Sequence, residues 1–354
     1  NPDLMAARER GVPILHRSEV LAQLVADGTC VAVAGTSGKS TVTGMVGWIL
    51  EQAGLNPSVV NGAPIANWRC DACVGNARKG GDLWVIEADE SDRSLLNYEP
   101  QHAVITNMSA DHFDMEETVD LFQRFAGRVK GACIGALDSV DYLSGVDPVV
   151  QAGSSRFICE GVAFELSLPG RHNVEDALHA AMLCRCLGVS LEESATALKH
   201  FKGIHRRLEV VGEAGGVTVL DDYGHNPAKI AAAWEAVVPF ARRGIVIWRP
   251  HGYGPLRSML DDLTETFARL CGPDDRVLLL PVYDAGGTAD RSTGVDLLVE
   301  RLAARDVPVS YVATHDETVA LASEEAQPGD VVIVMGARDP DLPELAARIV
   351  AAVA

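Results

Sequence analysis

The chain has 354 residues, 47% of them apolar, and a formal net charge of −19. That length supports two or three domains with ample cores and excludes a disordered or fibrous chain. The acidic balance argues against sequence-independent binding to nucleic acid or an anionic membrane, and no apolar run approaches the roughly 20 residues that cross a bilayer. An anionic substrate would therefore need a local cluster of cations and N–H groups.

The chain opens on Asn1 with no methionine and no signal peptide, so residues upstream are expected. A helical pattern over 17–26 precedes the first strand at 29–35. The run from Val31 to Ala34 is apolar and ends in Gly35-Thr-Ser-Gly-Lys39-Ser40-Thr41, after which a helix is predicted over 39–53. Strand, glycine turn and helix form the context of a phosphate-binding loop. Gly35 and Gly38 let successive N–H groups face one concavity, and the helix points its positive end into it. Lys39 reaches the outer phosphates, while Ser40 or Thr41 offers a hydroxyl to Mg²⁺. Val33 stands where the strict eight-residue pattern has its first glycine. The plain alternative is a glycine-rich turn with a surface lysine.

A short apolar run at 58–61 and an irregular stretch at 63–81 come next. Buried strands are then predicted at 82–87 and 103–107, ending in Glu87-Ala-Asp-Glu-Ser-Asp92 and in Asn107-Met-Ser-Ala-Asp111-His112-Phe-Asp114. Near-continuous apolar strands separated by helices imply a parallel sheet covered on both faces, with ligands outside the carboxyl ends of its strands. The loop 35–41 and the clusters 87–92 and 107–114 all lie at such ends. Glu87 is a candidate Mg²⁺ ligand or part of a helix-capping cluster. His112 is a candidate for a second metal or a phosphate, or a packed polar residue.

A helix is predicted over 116–130 and loose strands over 131–168. Pro169-Gly-Arg-His172-Asn173 opens a long helix reaching 187, with a shorter one at 191–199, and 203–207 reads as an exposed hinge. The alternation then restarts, with strands at 217–221, 244–248, 276–282, 307–312 and 329–335. Helices are predicted at about 227–239, 256–270, 293–304, 315–325 and 341–353. This is a second doubly wound domain. Asn173 caps its helix or pairs with the edge of adenine. Asp222 caps a helix or takes both ribose hydroxyls. Arg207 is a solvated charge or a cation for the γ-phosphate. His225, Arg249, His251 and Arg257 are candidate substrate contacts. The eight cysteines are scattered, and Cys70-Asp-Ala-Cys73 is a single CxxC with no second pair. Free thiols are expected there rather than a metal site.

With these residues laid out, the chain resembles the Mur ligase family along almost its whole length. The marks are Gly35-Thr-Ser-Gly-Lys39-Ser-Thr41, Glu87-Ala-Asp-Glu-Ser-Asp92, Thr106-Asn107 with Asp111-His112, Gly170-Arg-His-Asn173, Arg206-Arg207, and Asp221-Asp222-Tyr-Gly-His225. The resemblance implies an α/β chain with a central P-loop ATPase domain, its sheet mainly parallel, followed by a C-terminal Rossmann-like domain. Boundaries are expected at 1–28 (the tail of an N-terminal UDP-binding domain), 29–203 and 204–354. It implies a cytoplasmic ATP- and Mg²⁺-dependent ligase that adds L-alanine or a peptide to UDP-N-acetylmuramate through an acyl phosphate, with domain closure about 201–207.

Carried over residue by residue, Gly35, Thr36, Ser37, Gly38, Lys39, Ser40 and Thr41 hold the phosphates. Ser40 or Thr41 with Glu87 hold one Mg²⁺, and His112 serves the second. His172 and Asn173 approach adenine, Arg207 the γ-phosphate and Asp222 the ribose. Lys39, Glu87 and His112 are thus the expected catalytic group. Three positions depart from the family pattern: Asp176 replaces a usual asparagine, Gly252 a usual arginine, and Ser37 a common histidine. The segment between His112 and Gly170 is also short. A P-loop phosphotransferase or NTPase, a ligase with a different acid and amine, and a binding protein without turnover are the competing readings.

Overall fold

The computed structural model describes residues 2–354 except 71, 110–112, 139, 285–290 and 292. It divides into two units. One comprises residues 1–147, 158–164 and 175–201, the other 148–157, 165–174 and 202–354. The segments 148–157 and 165–174, expected in the central domain, group with the second unit.

In the first unit, α1 (Pro2–Glu9) buries no residue, and α2 (Arg17–Val25) starts from a capping box of His16 and Glu19. Then come β1 (Thr29–Ala34), α3 (Lys39–Gln52), β2 (Ser58–Val60), β3 (Ala77–Arg78), β4 (Leu83–Glu87), β5 (His102–Ile105), α4 (Met115–Ala126) and β6 (Cys133–Gly135). The sheet order is β3-β2-β4-β1-β5-β6, parallel except for β3 against β2. Val31 to Ala34 are fully buried, as a strand covered on both faces must be. Helix α4 stops at Ala126 rather than at 130, because the chain leaves the helix at Gly127.

The order puts β1 between β4 and β5, so the loop after β1 lies between their carboxyl ends. Strand connections run off in opposite directions on either side of β1, which makes this the sheet's topological switch point.

Next are β7 (Val149–Val150), β8 (Ser155–Cys159) and β9 (Val162–Leu166), which form a small sheet in that order. They are followed by α5 (Arg171–Cys186) and α6 (Leu191–Leu198). Ser190 and Glu193 form a capping box on α6.

The second unit continues with β10 (Glu209–Ala214), β11 (Val217–Asp222), α7 (Pro227–Val237), β12 (Gly244–Trp248), α8 (Tyr253–Ser258), α9 (Leu260–Leu270) and β13 (Arg276–Leu279). It ends with α10 (Val295–Ala303), β14 (Val309–Tyr311), α11 (His315–Glu325), β15 (Val331–Met335) and α12 (Leu342–Val353). Its sheet runs β10-β11-β15-β12-β13-β14, parallel except for β10. Strand alternation feeds two cores. Val331, Ile333 and Met335 enter one, with Val246 and Trp248; Val332 and Val334 enter the other, with Ile245 and Ile247.

Two expectations are corrected here. Strand β10 was not anticipated, because an edge strand is only half-buried and Glu209-Val-Val-Gly-Glu-Ala lacks an apolar run. The single helix expected over 256–270 is two helices, broken where Met259 leaves helical geometry at φ −106° and ψ 7°.

Candidate active site: the phosphate-type loop and the carboxylate cluster

In the first unit the loop after β1 has the backbone its glycines foretell. Gly35 and Gly38 sit at φ +131° and +83°, conformations that a side chain disfavours. A Cβ on Gly35 would also collide with Thr106 Oγ1. Gly38 is the N-cap of α3 and, as a glycine, makes no side-chain cap bond. The N–H groups of its first turn are therefore available to an anion.

The loop is pinned from the end of β5. Ser37 N donates to Asn107 Oδ1 at 2.9 Å, and Asn107 Nδ2 returns a bond to Ser37 O at 3.0 Å. Thr106 Oγ1 donates to Ser37 O at 2.5 Å, Thr36 N donates to Asn107 O at 3.1 Å, and Ser109 N donates to Thr36 Oγ1 at 3.0 Å. Residues 106–109 thus fix two consecutive loop residues, Thr36 and Ser37. Sequence reasoning marked Thr106 and Asn107 without giving them this task; their place at a strand end was the available signal.

Lys39 Nζ donates to Gly35 O at 2.8 Å, Thr36 O at 3.3 Å and Glu90 Oε1 at 3.0 Å. It also stands 2.7 Å from Glu90 Oε2, which lacks hydrogen-bond direction at that approach. Glu90 is only 4% exposed, and burial pushes its carboxyl above the usual range against the pull of Lys39. Sequence reasoning gave this carboxylate partner of Lys39 no role, since Glu90 stands there only as one letter of the acidic run 87–92.

Glu87 ends β4 in register with Val33 of β1. Its Oε2 accepts from Gly62 N at 2.8 Å, while the neighbouring Asn61 Nδ2 donates to Ser40 O at 3.1 Å. Ser40 and Glu87 therefore flank the same dipeptide. A hydroxyl and a carboxylate beside a phosphate loop fit Mg²⁺, which takes one or two protein oxygens and completes its shell with phosphate and water. Thr41 follows in the same helical turn and is 9% exposed. His112 lies outside the described residues. A Cβ on Gly38 would stand 2.7 Å from Asp176 Oδ1, so Asp176 borders the loop directly.

A cavity of about 250 Å³ adjoins Thr106 and Asn107, lined also by Tyr142 and His179. Burial holds the His179 imidazole neutral down to about 4.

The second unit carries its own polar cluster. Asn173 is buried, with Nδ2 on Pro169 O at 2.6 Å, and His172 is exposed. Arg206, at φ +58°, is 8% exposed. Its Nε faces the fully buried Asp221 at 3.2 and 3.3 Å, and its terminal nitrogens donate to Asp339 O at 3.1 Å and Gly336 O at 2.6 Å. Burial pushes the Asp221 carboxyl up to about 6, with Arg206 pulling the other way. Arg207, its neighbour, is exposed.

Asp222 accepts from Leu208 N at 2.8 Å and Gly224 N at 2.7 Å. Burial pushes its carboxyl up to about 6 against those donors. His225 and His251 meet edge to face at 5.0 Å. Arg249, expected to face substrate, is committed internally, to Asp339 Oδ2 at 2.5 Å and Pro281 O at 3.1 Å. Arg257 is exposed on α8.

Residues 33–123 match the Mur ligase middle domain, and residues 206–338 match the Mur ligase glutamate ligase domain. A UDP-N-acetylmuramate–L-alanine ligase of Gloeobacter violaceus is 34% identical, over 98% of this chain and 80% of its own length. The enzyme of the same name from Paenarthrobacter aurescens is 35% identical over 96% and 79%. The alignment to the Gloeobacter protein runs over 379 positions against 354 residues here, so the relative carries insertions. Among solved structures, a UDP-N-acetylmuramate–alanine ligase from Thermotoga maritima aligns with a TM-score of 0.75 at 22% identity, over 99% of this chain and 82% of that one. A MurF ligase of the same organism, solved with ADP, aligns with a TM-score of 0.64 at 17% identity, over 96% and 84%.

Proposed function

The chain belongs to the Mur ligase family, and from that membership we propose that it uses ATP to join L-alanine to the carboxylate of UDP-N-acetylmuramate. The observation that carries the reading is the first unit's loop. A pinned chain of N–H groups, an uncapped helix N-terminus, Lys39 and Glu87 surround one strand end, as phosphoryl transfer from a nucleotide needs. The names of the relatives support the choice of acid and amine.

In the proposed reaction the substrate carboxylate attacks the γ-phosphorus, giving an acyl phosphate and ADP. The amine then attacks the acyl carbon, and phosphate leaves. Both steps gather negative charge on oxygen, and preorganised donors are most effective where charge develops. Lys39 exchanges its carbonyl contacts for phosphate oxygens, while Glu90 keeps the ammonium aimed at the loop. The N–H groups of 38–40 hold the phosphates, at a position set by Asn107 through the N–H groups of Thr36 and Ser37. Glu87 with Ser40 or Thr41 holds Mg²⁺, whose charge neutralises the phosphate oxygens.

The second unit's parts in the proposal are Asp222 for the ribose hydroxyls, His172 and Asn173 for the base, and Arg207 for the γ-phosphate. Asp222 would act ionised, so nucleotide affinity should fall as pH drops below about 6. His225, His251 and Arg257 are assigned to substrate. Arg249 is assigned to holding that surface through Asp339.

The test is phosphate release from ATP with UDP-N-acetylmuramate and a panel of amines, including L-alanine, glycine, L-serine and a tripeptide. Release that requires both the acid and L-alanine is the expected result. Release without any amine would replace the ligase reading with a phosphotransferase or NTPase, and a preference for the tripeptide would move the substrate to a ready-made peptide.

A further inference from the structure

The ligase reading leaves the single CxxC unused, and the structure gives it a geometry of its own. Cys70 and Cys73 are both exposed and free. They form an isolated antiparallel bridge: Cys70 N donates to Cys73 O and Cys73 N to Cys70 O, each at 3.0 Å. Residues that exchange both bonds in this way have Cα atoms about 5.5 Å apart, in the middle of the range a disulfide spans. The Cys73 side chain lowers the pKa of Cys70 below that of an ordinary thiol, and the Cys70 side chain raises that of Cys73.

This pair sits at the tip of an excursion whose base is firmly held. Asn61 N donates to Asn76 O at 2.8 Å and Ile65 N to Gly75 O at 2.9 Å. Trp68 Nε1 donates to Glu51 Oε2 of α3 at 2.7 Å. Cys184 and Cys186, two residues apart on α5, offer no such juxtaposition, since helical neighbours at that spacing do not face each other. Among the described residues no three His, Cys, Asp or Glu side chains group as metal ligands.

We propose that Cys70 and Cys73 are a reversible dithiol–disulfide site that reacts with small-molecule disulfides of the glutathione class. The Cys70 thiolate attacks one sulfur of the small disulfide, whose S–S bond breaks and releases one small thiolate. Cys73 then gives its proton to solvent and attacks Cys70 Sγ, breaking the mixed disulfide and releasing the second small thiolate. Two protein thiols are oxidised, and one small disulfide is reduced to two thiols. The described hydrogen bonds of Lys39 and Glu87 go to Gly35, Thr36, Glu90 and Gly62, so oxidation closes the tip without breaking any of them.

The test is equilibration of the full chain with reduced and oxidised glutathione, followed by acid quench, intact mass and peptide mapping. The expected product is lighter by two hydrogen atoms, is cross-linked Cys70 to Cys73, carries no glutathione and loses two native-state reactive thiols. Iodoacetamide should alkylate Cys70 faster than Cys73 or Cys186. Cys70→Ser should lose the cross-link and keep ATP-dependent stabilisation. A stable glutathione adduct on either cysteine of the wild-type chain would overturn the proposal. So would bound zinc that survives gel filtration and protects both thiols. None of these readouts depends on ligase turnover, so the proposal and the ligase reading fail separately.

Discussion

The loop at 35–41 and the cluster at 206–225 solve the same problem in opposite ways. The first presents backbone N–H groups whose geometry comes from two glycines and is held by neutral hydrogen bonds from Thr106 and Asn107. The second rests on buried charge, with Arg206 reaching Asp221, Gly336 and Asp339 from a left-handed turn. A neutral frame leaves its cation, Lys39, beside acceptors that a phosphate can replace. A charged frame consumes its cation, so in Arg206-Arg207 the first arginine is structural and only the second is exposed.

The largest expected effect tests the charged frame. Arg206→Ala strands Asp221 without its partner and should cost about 3–5 kcal/mol, read as an earlier unfolding transition of the second unit in urea. Arg207→Ala should change stability by less than about 0.5 kcal/mol. Equal effects at the two positions would erase the distinction between them.

Lys39→Ala should lower turnover by about 10²–10³-fold and abolish ATP-dependent thermal stabilisation. Because it also strands Glu90, the double variant Lys39→Ala/Glu90→Gln should recover stability but not turnover. Recovery of both would mean that Lys39 serves the fold alone.

Asn107→Ala removes two bonds to Ser37 and should weaken nucleotide binding by about tenfold, or ~1–2 kcal/mol, with little change in the unfolding midpoint. A midpoint shift with unchanged affinity would move Asn107 from positioning the loop to supporting the sheet.

A further effect is a slope with pH. The Asp221 carboxyl is raised from 3.8 to about 6, so the native state holds that proton more tightly than the unfolded chain does. The stability this gives is fully present below about pH 4 and is lost as pH rises through about 6. Asp221 alone adds at most about 1.4 kcal/mol per pH unit to the slope, and Asp222, also raised to about 6, adds its own share. Asp221→Asn should remove its share of the slope between pH 4 and 6, and an unchanged slope would assign the titration elsewhere.

Much of this was legible in the chain itself. The apolar runs 31–34, 244–248 and 331–335 became buried central strands, and Gly35 and Gly38 foretold the turn, because burial on both faces and positive φ leave direct marks on residue type. The half-buried edge strand β10 left no such mark. Nor did Arg249 show that it would turn inward to Asp339, since an exposed and a committed arginine are the same letter.

The sequence by itself determined most of the buried strands and the helices between them, where the backbone must bend, and which strand ends carry polar groups. Only the tertiary structure decided the partnerships. Asn107 meets Ser37 across 70 residues, Lys39 meets Glu90 across 51, and Arg206 meets Asp339 across 133. The reason lies in the parallel sheets, which stack strand ends far apart in sequence side by side. The order of that stacking depends on how whole helices cross over the sheet, not on any short run of residues.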